Sequence, residues 1–456
     1  MSLYSRLIRL APVALLASVF AACDNGPSAP PAALVVSASG TLQRGATVTL
    51  TATRDGQAVP AGSVTWTLSP AANGELTGGG QLRLLAAGAL QVSGSYDGST
   101  GSTTLQVTEP PPGALVISAA GRRERGSTLT LSVTRDGQAV NAATVTWTVV
   151  PAASGQVLPD GKVRLLATGA VEVRGSFDGS TGALPVTAAT PPTVVFDMSV
   201  SGNRDLYSVA LDGVGLVRLT DDPASDSDPS AAAGKVLFVS VRAGNPELYT
   251  VPLAGGATTR ITNTAARTES SPALSPDGTR IAYAYDVSGV ARIWTANIDG
   301  SGGAAFTGNL GFAGSPETSP SWAPTGNRLT FVGTGQGTAD VWDLTGGGTA
   351  TILAGGDSAD VDPAWNPDGT LVAFASTRDG DPAIFTVRVA DKVITRLSSR
   401  VGAEAEPSWT ADGRLVYVEF GAGSTTRLVW IDPADPGTVH EIPVTGGSPR
   451  RPSVVR

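Results

Sequence analysis

Short apolar runs closed by proline, glycine or aspartate fill this chain from Leu34 to its end. In Thr47-Val-Thr-Leu-Thr-Ala-Thr53 and Thr128-Leu-Thr-Leu-Ser-Val-Thr134 apolar and polar residues alternate, which predicts half-buried strands with one face in and one out. Further on, the stretch near Asp362 reads Asp-Pro-Ala-Trp-Asn-Pro-Asp-Gly, then Leu371-Val-Ala-Phe-Ala-Ser, then Ala383-Ile-Phe-Thr-Val-Arg-Val, then Ile394-Thr-Arg-Leu-Ser. These runs are rich in β-branched and aromatic residues and separated by turn chemistry, so strands and hairpins are predicted and helix is not. Turns such as Ser275-Pro276-Asp277-Gly278 and Asn366-Pro367-Asp368-Gly369 place proline where its fixed φ suits a turn and glycine where a left-handed residue is needed.

The four-strand pattern recurs. Its marker is Pro229-Ser230-Ala231, Pro272-Ala273-Leu274, Pro320-Ser321-Trp322, Pro363-Ala364-Trp365, Pro407-Ser408-Trp409 and Pro452-Ser453-Val454, with prolines 43, 48, 43, 44 and 45 residues apart. A near-constant period of that size signals a repeat architecture. A second marker runs in phase with it: Asp205-Leu206-Tyr207, Glu247-Leu248-Tyr249, Arg292-Ile293-Trp294, Asp340-Val341-Trp342 and Ala383-Ile384-Phe385. Small four-stranded sheets packed face to face around an axis satisfy such a pattern, because radial repetition leaves only short edges.

The sequence Pro-x-Trp-x-Pro-Asp-Gly, followed by Ile-Ala-Phe-like, Ile-Tyr-like and Arg-Leu-Thr-like strands, resembles the WD-like repeat of TolB-type β-propellers over roughly residues 193–456. The last marker stands as Arg218-Leu219-Thr220, Arg260-Ile261-Thr262 and Arg396-Leu397-Ser398, and has drifted at Ala305-Phe306-Thr307, Thr351-Ile352-Leu353 and Glu441-Ile442-Pro443. The first unit, at Val194-Val195-Phe196, lacks a preceding Pro-x-Trp strand, whereas residues 448–455 supply one with nothing after it. The expectation is therefore a six-bladed propeller over 194–456, closed by the C-terminal strand as the inner strand of its first blade.

The front half is a different repeat, two copies offset by 81 residues: Arg54-Asp-Gly-Gln-Ala-Val59 against Arg135-Asp-Gly-Gln-Ala-Val140, and Val64-Thr-Trp-Thr67 against Val145-Thr-Trp-Thr148. About seven strand-like runs per copy suit a small β-sandwich. Residues 34–108 and 115–187 resemble bacterial immunoglobulin-like domains, each with one inward tryptophan, Trp66 or Trp147, and no cysteine pair. The Pro-rich joint at 109–114 and the linker at 188–193 read as stiff spacers. The whole chain is thus expected to be all-β, with two tandem sandwiches followed by the propeller.

At the N-terminus, Arg6 and Arg9 precede an apolar stretch, Leu10 to Phe20, and then Ala21-Ala22-Cys23. This is the form of a secretory signal over residues 1–22, too short to be a membrane-spanning helix. Cys23, the sole cysteine, ends it, and the segment resembles a bacterial lipobox; that resemblance implies lipidation at Cys23 and a flexible linker over 23–33. Phe20 stands where that family usually has leucine. Removing Arg6 and Arg9 leaves 29 basic against 39 acidic residues, net −10. With three lysines and no basic run, nucleic-acid binding is excluded.

Catalytic chemistry finds little support. The one histidine, His440, falls in the predicted outermost strand of the last blade, and no Gly-x-Ser-x-Gly is present. A hydrolase triad needs a base beside its nucleophile, and one His with one Cys cannot furnish a zinc site. Carboxylates remain. Asp228, Asp362 and Glu406 directly precede the repeat proline, Glu269 and Glu317 lie three residues before theirs, and Arg451 takes the position in the closing strand. If they ring one mouth of the channel, they would bind a cation or a basic loop of a partner; the competing reading is that they accept backbone N–H bonds and stabilise turns. The clusters Asp226-x-Asp228 and Asp357-x-x-Asp360-x-Asp362 would suit Ca²⁺, which takes several oxygen ligands. Trp322, Trp365, Trp409 and Leu274 read as core between blades, and Arg122-Arg-Glu-Arg125 as a solvated turn.

The order of parts implies a lipid-anchored, non-enzymatic binding or scaffold protein of the bacterial cell envelope, facing the periplasm or exterior, with the sandwiches as spacer. The resemblance to TolB implies a protein partner docked on one propeller face, although TolB-type proteins carry a small α/β domain where this chain has sandwiches. The alternatives are a carbohydrate-binding head and a carboxylate-dependent glycan-active enzyme; an exposed loop aromatic would favour sugar, and the loops supply mainly Phe312 and Phe420.

Overall fold

In the computed structural model, which describes residues 33–455 apart from 110–112, 266, 288, 309–314, 335–336 and 399–401, every regular element is a β-strand or a three-residue 3-10 turn. Cys23, its leader and Phe312 lie outside the described residues. None of the described helical segments is long and apolar enough to cross a membrane. The chain divides into two compact units, residues 1–119, 131–147 and 173–185 in one, and residues 120–130, 148–172 and 186–456 in the other.

The alternating run Thr47–Arg54 forms a strand whose Val48, Leu50 and Ala52 are buried while the residues between them are not. It sits in a five-stranded sheet with Val35–Ser39, Gln57–Val59, Gly74–Gly78 and Gln81–Leu84, accompanied by a three-stranded sheet of Thr65–Ser69, Gly88–Tyr96 and Ser99–Val107. Leu82, Leu84, Leu90 and Val92 complete this core, and half-buried Trp66 packs against it. The second copy repeats the division into five and three strands. In each copy the Trp indole N–H is satisfied locally, Trp66 by Ala61 O at 3.1 Å and Trp147 by Ala142 O at 2.9 Å.

Six four-stranded antiparallel sheets follow. The first is Ser448–Val454, Thr193–Val200, Asn203–Ala210 and Val217–Arg218, so the last strand of the chain pairs with Thr193–Val200. The others are consecutive and begin at Asp226–Ala232, Glu269–Leu274, Glu317–Trp322, Asp360–Trp365 and Ala403–Trp409. Each pair of neighbouring sheets shares a buried apolar cluster; Phe196, Val209, Val416 and Leu428 belong to the one joining the sixth sheet to the first.

The repeat markers have separate jobs in this packing. Trp322 Nε1 donates to Ala273 O at 3.1 Å and Trp409 Nε1 to Ala364 O at 3.0 Å, tying each leading strand to that of the preceding sheet. The serine after the proline accepts from the following sheet: Ser230 Oγ from Leu274 N at 2.9 Å, Ser408 Oγ from Val454 N at 3.0 Å, and Ser453 Oγ from Ala231 N at 2.9 Å. The hydroxyl that ends the Arg-Leu-Thr marker accepts an amide of the third strand, as Thr220 does from Leu206, Thr262 from Leu248 and Ser398 from Ile384. Its arginine pairs an acid on that strand, Arg218 with Asp205 and Arg260 with Glu247.

Candidate functional site

Every leading strand is broken at the same place. Asp228, Ser271, Ser319, Asp362, Glu406 and Arg451 all have φ between 48° and 60°, each is followed by proline, and the strand register shifts there in each sheet whose ladder crosses the position. A non-glycine residue in this left-handed region costs about 1–3 kcal/mol, and proline further disfavours it in the residue before. Bulges of this kind re-aim side chains, and here the six residues line one cavity of about 380 Å³, together with Arg450. Below it, the prolines and the serine or alanine after them enclose a narrower space of about 180 Å³.

The rim is unevenly charged. Arg451 pairs with Asp228, Arg450 Nε donates to Glu406 Oε1 at 3.0 Å, and the Arg451 amide donates to Glu406 Oε2 at 2.6 Å. Asp197, fully buried, accepts Arg204 Nη1 at 2.8 Å and the Asp228 amide at 3.1 Å. Asp362 accepts the Glu406 amide, and burial together with the nearby Glu406 charge pushes its carboxyl up to about 6. Burial likewise raises Asp197 to about 6, against the pull of Arg204 and Arg451. One arc therefore carries acids and arginines, whereas Ser271 and Ser319 leave the other arc neutral. Glu406 accepts a backbone amide, as the turn-stabilising reading expects, and it also faces the cavity.

Glu269 and Glu317 do not join this rim, contrary to the sequence expectation. Three residues before the proline, the strand has not yet reached the bulge, and its side chain points between sheets instead. Asp226, Glu269, Glu317, Asp360 and Glu404 occupy this position in five sheets, and none is more than 1 % exposed. Their partners come from the chain itself. Arg242 Nη2 donates to both oxygens of Asp226 at 2.9 and 2.8 Å, and Arg378 Nη2 to both of Asp360 at 2.8 Å. Thr264 Oγ1 donates to Glu269 at 2.9 Å; Glu317 takes the Thr307 hydroxyl and the Ile293 amide. The Ca²⁺ candidates Asp226, Asp228, Asp360 and Asp362 are thus divided between two tiers, three of them already paired, and no group of three or more His, Cys, Asp or Glu fit to hold a metal occurs among the described residues. Glu404, Arg450 and Asp197 escaped the sequence reading; counting three back from every proline would have found Glu404.

Glu269 and its neighbour Glu247 are both fully buried. Burial, partly offset by the Thr264 hydroxyl and reinforced by the Glu247 charge, pushes Glu269 up to about 7. Burial also opposes ionisation of Glu247, but bonds from Thr262, Thr264, Arg260 and Asn245 hold it below the usual range. Glu269 is therefore the group that keeps the proton, while Glu247 stays ionised beside it. The folded protein binds this proton more tightly than the unfolded chain does, so the stability it confers is complete below about pH 4 and is lost as pH rises through 7. Glu269→Gln keeps the hydrogen bonds without the titration. Thermal melts from pH 5 to 8 are expected to show the variant gaining on the wild type with rising pH, by on the order of 2–3 kcal/mol at pH 8 and beyond; parallel curves would contradict the assignment.

The remaining candidates fall as follows. Trp322, Trp365, Trp409 and Leu274 are buried. His440 lies on the outermost strand of the sixth sheet, stacked on Trp430 at 3.9 Å, and its pKa is lowered by burial and by Arg414. The Arg122–Arg125 turn is not simply solvated. Within the second unit Glu124 is buried and takes both terminal nitrogens of Arg414, which is 1 % exposed; Arg122 reaches Asp412 at 2.7 Å and Asp432 at 2.8 Å; and Arg125 reaches Asp212 at 2.6 Å.

Four-stranded sheets repeating around a common cavity define a β-propeller. The chain belongs to the TolB beta propeller domain family, whose model matches residues 141–309 and 268–438, more than half of the sequence. Among solved structures it is similar to TolB from Acinetobacter baumannii, at 14 % identity and a TM-score of 0.53 over 75 % of this chain and 83 % of that one. Similarity to a putative TolB from Agrobacterium tumefaciens has 21 % identity and a TM-score of 0.46, covering 57 % and 91 %. A puromycin-hydrolyzing peptidase from Mycobacterium tuberculosis is matched at 15 % identity and a TM-score of 0.40, covering 72 % and 52 %. No curated protein matches the chain.

Proposed function

We propose that this is a lipid-anchored binding or scaffold protein of the bacterial cell envelope, without enzymatic activity or cofactor. In this reading a six-bladed propeller, closed by Ser448–Val454, recognises a protein partner, and two immunoglobulin-like sandwiches hold it away from the membrane. The observation that carries the reading is the rim: six strained positions, four of them charged, converge on one open cavity, which suits recognition of a charged loop.

Asp362 is the rim acid with no arginine of its own in an ion pair closer than 4 Å among the described residues, so it is the one left to attract a basic partner group. Charges of this kind act mainly on encounter and are screened over about 8 Å at physiological ionic strength. The test is to capture partners from envelope extract with the full mature chain, identify them, and measure association across a salt series. Asp362→Asn is expected to slow association several-fold and flatten its salt dependence while leaving the melting temperature near that of the wild type; unchanged rates would remove the rim from recognition. The anchor is tested separately, because Cys23→Ser is expected to move the protein from the membrane to the soluble fraction. Persistent membrane association of that variant would end the lipoprotein reading.

A further inference from the structure

The repeats compare one position across sheets. In the second and fifth sheets the acid that opens the leading strand faces a serine on the next strand, Asp226 opposite Ser240 and Asp360 opposite Ser376. Two residues after that serine stands an arginine, Arg242 or Arg378. Its guanidinium donates two hydrogen bonds to the acid and one from Nε to the serine Oγ at 2.9 Å, and lies over aromatic rings, 4.9 Å from Tyr249 in one sheet and 5.1 Å from Phe385 in the other.

The sixth sheet keeps the acid and loses the arginine. Glu404 faces Glu419 across the strand pair, and two residues on is Gly421. Glu404 is 1 % exposed, and neither carboxylate oxygen has an ion-pair partner or a hydrogen bond of ordinary geometry among the described residues; its nearest support is the Ser398 hydroxyl, which accepts the Ile384 amide and keeps its own proton to turn toward the carboxylate. Glu419 lies beside it and pairs with Arg427 at 2.7 Å, an arginine that also reaches Glu441 at 3.5 Å. Like charges placed directly opposite in a sheet are destabilising. A cavity of about 590 Å³ opens here, lined by Glu404, Glu419, Phe420, Gly421 and Arg427. None of these residues lines the axial cavity.

We infer that this cavity is a receptor for a guanidinium group, an arginine side chain of a partner polypeptide, which would take the place that Arg242 and Arg378 fill from within their own sheets. The site rests on the protein-recognition reading for its partner but not on the axial rim. Arginine fits better than a point-charge ammonium because its planar fork meets a carboxylate with two parallel bonds and stacks on an aromatic face.

Calorimetry on the full-length protein at low ionic strength tests this, with N-acetyl-arginine methylamide as probe and the citrulline counterpart as its uncharged equal in shape. The arginine compound is expected to bind at least about tenfold more tightly than the citrulline compound, as loss of a charge-assisted bond to a buried carboxylate implies. Glu404→Gln should weaken arginine binding by a similar factor. Gly421→Arg supplies the missing guanidinium from the chain itself; the backbone there has φ −94°, and the new Cβ meets only the rotatable Thr425 hydroxyl closer than 3 Å. That variant should abolish probe binding and raise the melting temperature. Loss of probe binding in Gly421→Arg, a substitution outside the rim, separates this site from the rim. Equal affinity for the two probes, absence of binding, or undiminished binding in Gly421→Arg would each overturn the inference. The wild-type probe comparison decides even if Glu404→Gln does not fold.

Discussion

A chain ending at Thr445 is expected to melt roughly 10 °C or more below the intact protein, or to lose its cooperative transition altogether. The missing strand, Ser448–Val454, forms the ladder along Thr193–Val200, and its Val454 is buried in the cluster shared with the sixth sheet. Its Ser453 hydroxyl holds the Ala231 amide of the second sheet, and its Val454 amide reaches Ser408 of the sixth. Arg450 and Arg451 leave with it, stripping Glu406 and Asp228 of their ion pairs. Losses of several kcal/mol follow, each worth about 2–4 °C in a domain of this class, and the exposed strand edges invite association. Scanning calorimetry with light scattering gives the readout; a truncated chain melting within about 2 °C of the intact one would show that the strand is dispensable.

Arg414→Met is expected to cost about 3 kcal/mol or more. The guanidinium is almost wholly buried, holds Glu124 with two nitrogens and Asp412 with a third contact at 2.8 Å, and lies 5.0 Å from the Trp430 ring. Removing one partner of a buried ion pair leaves the other charged and desolvated, which typically costs 3–5 kcal/mol, whereas neutralising both is far milder. Asp412 is more than a third exposed, so the penalty concentrates on Glu124. Adding Glu124→Gln to Arg414→Met should therefore restore part of the loss. Denaturant melts of the two single variants and the double form a cycle, and strictly additive effects would deny the coupling.

The two contacts differ in how far the sequence revealed them. The pairing of Ser448–Val454 with Thr193–Val200 was legible because Val194 begins without a leading strand and residues 448–455 supply one. The Arg414 contact was not, since Glu124 precedes it by 290 residues and a run of Arg-Arg-Glu-Arg reads as a polar turn wherever it falls. The acids show the same division. Asp228, Asp362 and Glu406 were placed with Arg451 from register alone, and all four line the cavity. Glu269 and Glu317, three residues before their prolines, share that register too, yet a displacement of two residues along the strand, ending before the bulge, turns their carboxylates between the sheets.

Strand periodicity, turn chemistry and the spacing of the prolines determine by themselves an all-β chain with repeating four-stranded sheets, because those signals depend only on near neighbours along the backbone. Which carboxylate meets an arginine, a threonine or nothing depends on side chains delivered by other strands and sheets, whose distances are set only when strands pair and the apolar clusters between sheets pack. Asp226 and Glu404 illustrate this: both are acids three residues before a repeat proline, but one is closed by Arg242 and the other faces a cavity because Gly421 stands where that arginine would be. The arginine or glycine is written in the sequence, but only strand pairing brings it beside the acid, and burial there is what makes an unpaired carboxylate costly.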